Sequence, residues 1–143
     1  MFWAWRIIQQ FMIAFKKRYA VATLLYCGVI FALSAQSEPP GTEWSFLDLP
    51  GIDKAAHAIL YAGLAGVVSL GIWRSNETVR APVQFWVPVL FALLYGLSDE
   101  VHQIYVPERS FDWLDLLADG VGATIVQVPL FAYLRPDAKH RGE

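Results

Sequence analysis

Charge is in short supply in this chain. Asp, Glu, Lys and Arg make up 17% of its 143 residues, against about a quarter in an ordinary soluble domain. The net charge is −2, with no basic stripe and no nucleic-acid-binding signature, so no nucleic-acid partner is expected. The single cysteine, Cys27, excludes an intrachain disulfide framework and cannot alone make a thiolate zinc site. Its setting, LLYCGVIF, reads as buried packing, the usual state of a free cysteine. No linker or internal repeat divides the chain, which points to a single domain over residues 1–143. H-E-x-x-H, a nucleophile elbow and phosphatase signatures are all absent, so no motif names a reaction.

Apolar sequence is plentiful: 56% of the residues are hydrophobic and 15% aromatic. A helix needs about 20 apolar residues to cross a bilayer core. Tyr19 to Ser37 carries no charge, Ala55 to Trp73 has only His57 as an ionisable break, and Ala81 to Ser98 is again uncharged. Pro82 suits a first helical turn and Pro88 a kink. The last apolar run, Gly120 to Leu134, is too short alone and spans only if it begins near Trp113. That start draws Asp115 and Asp119 into the membrane. The fold expected is therefore all-α, an integral membrane bundle of four transmembrane helices over about residues 19–37, 55–73, 81–98 and 113–134. A rival reading makes the first span a signal peptide cut near Ala35; it would leave three spans and spoil the charge asymmetry.

Lys and Arg favour the cytoplasmic side of a membrane. Arg6, Lys16, Lys17, Arg18, Arg74, Arg80, Arg135, Lys139 and Arg141 fall on one side of the four spans, and Lys54 and Arg109 on the other. Both termini are thus expected in the cytoplasm, with the two longer loops facing outwards. The first fifteen residues, MFWAWRIIQQFMIAF, are too few to span. They set Arg6, Gln9 and Gln10 largely opposite Phe2, Trp3, Trp5, Ile8 and Phe11, the pattern of an amphipathic helix lying in the interface.

The acids run the other way: all but Glu77, Asp137 and Glu143 lie on or near the outer side. Asp53, His57 and Tyr61 stand at i, i+4 and i+8 on one helical face. Asp99 pairs by spacing with His102 and Gln103, and Asp112, Asp115 and Asp119 share a face of the fourth span. Asp119 sits roughly 9 Å beyond Trp113 along the axis. Asp53, Asp99, Glu100, Asp112, Asp115 and Asp119 outnumber the fixed cations Lys54 and Arg109. The excess must be protonated, hydrated, or neutralised by a bound cation. Asp53 and Asp112 also read as helix N-caps, and Arg109 as a partner for Glu108 or Asp112. A guanidinium there can instead grip a phosphate or carboxylate bidentately.

With these residues in view, the chain resembles the VanZ-like membrane proteins, named for a protein associated with resistance to the glycopeptide teicoplanin. The likeness rests on DKAAHAILYAGLA (Asp53, Lys54, His57, Tyr61) and DEVHQIYVPERSFDWLDLLADGVG (Asp99, Glu100, Gln103, Arg109, Asp112, Asp115, Gly122), spanning roughly Ile52 to Gly122. Ala58 stands where an aromatic often follows the histidine, and Asp119 where asparagine is common. The resemblance implies a bacterial inner-membrane protein with a role in glycopeptide tolerance or envelope maintenance, and no established reaction.

Three functions compete. In the first, Arg109, Lys54, Asp53, Tyr61, Glu100 and Gln103 bind a lipid-linked or peptidoglycan-related head group, with membrane lipids as partners. In the second, a membrane hydrolase or transferase uses His57, Asp99 and Asp115 as catalytic groups, with Asp112, Asp115 and Asp119 as ligands of a divalent cation. The third is a proton-coupled transporter; against it, the cytoplasmic half-spans show no continuing polar path, and a single four-helix copy would need to dimerise.

Overall fold

The computed structural model describes residues 15–37, 51–75 and 79–134. The expected amphipathic helix over the first fifteen residues falls almost wholly outside them. Four helices follow one another: α1 (Lys17–Ser34), α2 (Ile52–Ser75), α3 (Ala81–Gln103) and α4 (Trp113–Leu134). Each is long and apolar enough to cross a membrane, so the four-helix membrane bundle expected from the apolar runs is what forms. A helix is the natural answer to such a sequence, because lipid offers no partner for an open backbone N–H or C=O.

The helices alternate in direction. At one end Ser34 of α1 reaches Asp99 of α3, and Lys54 of α2 reaches Asp115 of α4. At the other, the Lys16 backbone N–H donates to Ser75 Oγ at 2.8 Å. Helix α2 lies at the centre and packs on all three others, most extensively on α4. Helix α1 is peripheral and buries a single stripe, Thr23, Cys27, Ile30 and Ser34. Cys27 is buried, as its setting suggested, and its carbonyl accepts a hydrogen bond from the Tyr95 hydroxyl at 2.7 Å.

Polarity is distributed as a lipid solvent requires. Leu24, Leu25, Ile59, Leu94 and Leu117 face outward, while Asp99, Glu100, Asp119, Gln84 and Gln127 are buried. Lipid tails are as apolar as leucine, so exposing leucine costs nothing and helices must associate through close packing and polar contacts. The tightest approach shows this. A Cβ added to Gly122 of α4 would run into the carbonyl of Ala58 on α2, so only glycine lets these two backbones meet.

Both ends of α1 and α2 and the end of α3 differ from those read off the apolar runs. The third run ends at Ser98, yet α3 continues to Gln103; the second begins at Ala55, yet α2 starts at Ile52. Of the residues added to α3, Asp99, Glu100 and Gln103 are buried in the bundle, whereas Ile52 and Asp53, added to α2, stay exposed. The half of the bundle away from the acids also holds more polarity than the runs suggested. Gln84 donates to the Ser69 carbonyl and hydroxyl at 3.0 and 3.2 Å, and Gln127 to the Ala65 carbonyl at 3.4 Å.

Replacing Gly122 by alanine is expected to destabilise the bundle by about 1–3 kcal/mol, the usual range for overpacking. Gly28→Ala, where a Cβ meets nothing, should leave it unchanged or gain up to about 1 kcal/mol from helix propensity. Unfolding of the two variants in matched detergent measures the difference.

Candidate functional site

One end of the bundle gathers nearly every acidic side chain of the described residues. Its outermost group is Lys54, on the first turn of α2. The ammonium donates to Asp53 at 2.8 Å, to Asp112 at 2.7 Å and to Asp115 at 2.9 Å. One cation thus joins α2, the loop before α4, and the first turn of α4. Asp112 is held from three sides. Its Oδ1 accepts the Leu114 N–H at 2.8 Å, capping α4, and its own N–H donates to Glu100 Oε2 at 2.8 Å. The Lys54 ammonium, with the Leu114 N–H, holds the Asp112 carboxyl below the ordinary carboxylate range. A lowered value means that this contact persists at neutral pH and is lost only as pH falls through it.

Deeper in, His57 of α2 meets Asp119 of α4, with Nδ1 3.0 Å from Oδ1. The imidazole lies parallel to the Tyr61 ring, centroids 6.0 Å apart. On α3, Glu100 also accepts from Gln103 at 3.4 Å, and Gln103 donates to Asp99 at the same distance. Asp99 takes a further hydrogen bond from Ser34 of α1 at 2.5 Å. Side-chain exposure falls steadily along this path, from 54% at Asp53 through 28% at Lys54 and 12% at Asp115 to 0% at Asp119. Two polar atoms at the bottom, Asp119 Oδ2 and the Tyr61 hydroxyl, have no hydrogen-bond partner among the described residues. Gly96 of α3 makes room for them: a Cβ there would overlap Asp119 Oδ2 and lie 3.3 Å from the Tyr61 ring.

The candidate residues do not all converge. Lys54, His57, Glu100, Asp112, Asp115 and Asp119 form one connected set, with Asp99 and Gln103 joined through Glu100. Asp53 stays at the rim with Lys54 alone. His102 does not pair with Asp99; it stacks on Phe31 of α1, centroids 4.5 Å apart, and its Nε2 is buried without a partner among the described residues. Arg109 makes no ion pair among the described residues; its Nε donates to the Gln36 carbonyl at 3.3 Å and ties the α3–α4 loop to the end of α1. As potential metal ligands, Asp112, Asp115 and Asp119 share a helical face but not a centre, since Asp112 is turned to Lys54 and Asp119 to His57. The group whose ligand atoms lie within 4.8 Å of one another is His57, Glu100 and Asp115, one residue from each of three helices. Ser34 and Gly96 escaped notice in the sequence because neither carries charge. Ser34 shows only as the last step of the buried stripe of α1.

These features define a multi-pass helical membrane protein with an acidic, histidine-containing cluster at one end of its bundle. The two motifs that carry most of that cluster are also the ones that resemble VanZ-like proteins. The chain belongs to the VanZ/LLP1 family, whose model matches residues 5–132. Neither the curated proteins nor the solved structures contain a match to the chain.

The contact between His57 and an ionised Asp119 requires a proton on Nδ1. Side-chain ¹⁵N spectra of labelled protein in nanodiscs should show Nδ1 protonated, and Asp119→Asn should remove that hydrogen-bond signature. A bare Nδ1 in the wild type would make a protonated Asp119 the donor of this contact and overturn the ionised carboxylate.

Proposed function

We propose that this VanZ/LLP1 protein binds the polar head group of a cell-envelope lipid, or of a lipid-linked peptidoglycan-related molecule, at the outer face of the bacterial inner membrane. The bias of Lys and Arg toward the opposite end of the bundle supports an outward-facing cluster, with both termini in the cytoplasm. A contribution to teicoplanin tolerance rests on the family resemblance and would act through that bound head group.

The observation that carries the reading is that two shallow apolar grooves, lined by none of the cluster residues, rise along α4 to the level of the cluster. One groove, of about 410 Å³, runs between α2 and α4 along Ala58, Ala62, Gly122 and Pro129. The other, of about 430 Å³, runs between α3 and α4 along Leu116, Leu93, Val89 and Trp86. Ala58 follows His57 in sequence, and Leu116 follows Asp115, so both grooves start level with the cluster. An amphiphile would seat its head among the polar groups and its chains along α4 on either side. Exposed Tyr105 and Trp113 suit the level of the head groups. Arg109 spends only Nε on Gln36 among the described residues, which leaves the rest of its guanidinium to take a phosphate or carboxylate.

One observation favours a second reading, a membrane hydrolase or transferase acting on the same head group. Asp119 fixes the orientation of the His57 imidazole beside the carboxylates of Glu100 and Asp115, the setting of a general acid–base group.

Lipids retained by the purified protein can be counted by native mass spectrometry. The wild type should carry a bound envelope lipid, and Arg109→Ala should lose most of it while keeping its fold. Equal retention by the two proteins would count against a head-group site at this place.

A further inference from the structure

We propose that His57, Glu100 and Asp115 form a divalent-cation site in the outer turns of the bundle. Each ligand comes from a different helix, α2, α3 and α4, so the site exists only in the folded bundle. A ring nitrogen of His57 and one carboxylate oxygen each of Glu100 and Asp115 already lie within 4.8 Å of one another. Metal–nitrogen and metal–oxygen distances of about 2.0–2.2 Å put neighbouring ligands of one ion roughly 3–3.6 Å apart, so side-chain rotations that draw the three groups together close the site.

Two independent observations point to a cation rather than to a chance gathering of acids. The first is Asp119, fully buried, with one oxygen on His57 Nδ1 and the other without a partner among the described residues. A carboxylate holding the far nitrogen of an imidazole is how proteins orient a histidine toward a metal. The second is the contact list of Glu100. This side chain is wholly buried, yet among the described residues its hydrogen bonds come only from neutral donors, the Asp112 N–H and the Gln103 amide. Lys54 is shared among three other carboxylates. A buried carboxylate without a countercharge costs several kcal/mol, and a divalent ion between Glu100 and Asp115 supplies that countercharge.

The donor set narrows the ion. One imidazole and two carboxylates, with no thiolate, suit Mn²⁺ or Zn²⁺ better than the all-oxygen cages of Ca²⁺ and Mg²⁺. Three protein ligands leave coordination positions open for water or for a ligand oxygen. Occupancy does not depend on lipid binding, so the site stands or falls apart from the function proposed above.

Mn²⁺ added to metal-stripped, tag-free, full-length protein in nanodiscs provides the test. The free-ion electron paramagnetic resonance signal should fall by one Mn²⁺ per chain, and Zn²⁺ should compete. The bound ion should show nitrogen hyperfine coupling that persists in His102→Gln. Asp119→Asn should weaken binding about 10–100-fold, as loss of an orienting carboxylate does, and Glu100→Gln at least as much. Glu108→Gln, in the outer loop, should bind like wild type. Absence of stoichiometric binding by the folded wild type, or bound Mn²⁺ without nitrogen coupling, would overturn the proposal; neither reading needs a variant to fold.

Discussion

A carboxylate inside a membrane bundle has few acceptable partners, and this constraint shapes the end of the molecule that carries the acids. Lys54 answers it for three acids at once, from α2, from the loop and from α4. His57 answers it for Asp119, and a set of amide and hydroxyl donors answers it for Glu100 and Asp99. Apart from the Lys54–Asp53 pair within α2 and the Gln103 amide within α3, these contacts cross between elements. The acids therefore act as ties that set how α2, α3 and α4 stand against one another. An apolar interface would slide more freely, because lipid competes equally well for leucine.

Helix α1 has a smaller part in this scheme. Its lipid-facing side is broad, and its buried stripe ends in Ser34, whose hydroxyl reaches Asp99. The same end of α1 receives Phe31 against His102 and the Gln36 carbonyl against Arg109. The cluster is thus closed on one side by a helix that contributes no charge. The opposite approach, past Asp53, Lys54 and Asp112, is where exposure remains. Close packing makes the arrangement compact, since Gly122 and Gly96 admit the backbone of Ala58 and the carboxylate of Asp119 where any side chain would intrude.

Much of this was legible in the sequence, because bilayer thickness and helical rise leave little freedom. Uncharged runs located three spans, and the shortness of the fourth run placed Asp115 and Asp119 inside the bundle. The family likeness followed from the two motifs. What one-dimensional spacing could not supply was the identity of partners across helices. His102 stands three residues from Asp99, yet Phe31 of a different helix claims its ring. Asp112, Asp115 and Asp119 share one face, yet Lys54 and His57 divide them, and the ligand-spaced group takes one residue from each of three helices. Span ends were misplaced wherever polar residues continued a helix into the interior, as at Asp99, Glu100 and Gln103. Hydropathy treats such residues as boundary markers, whereas the fold uses them as core.

Paired charges across helices, rather than apolar burial, hold the acidic end of the bundle together. The coupling energy between Lys54 and Asp115 tests it most directly, through a double-mutant cycle of Lys54→Met and Asp115→Asn measured by unfolding in detergent. The account predicts a coupling of roughly 1–3 kcal/mol, with the double variant more stable than the sum of the single losses implies. Single losses that add within about 0.5 kcal/mol would contradict it.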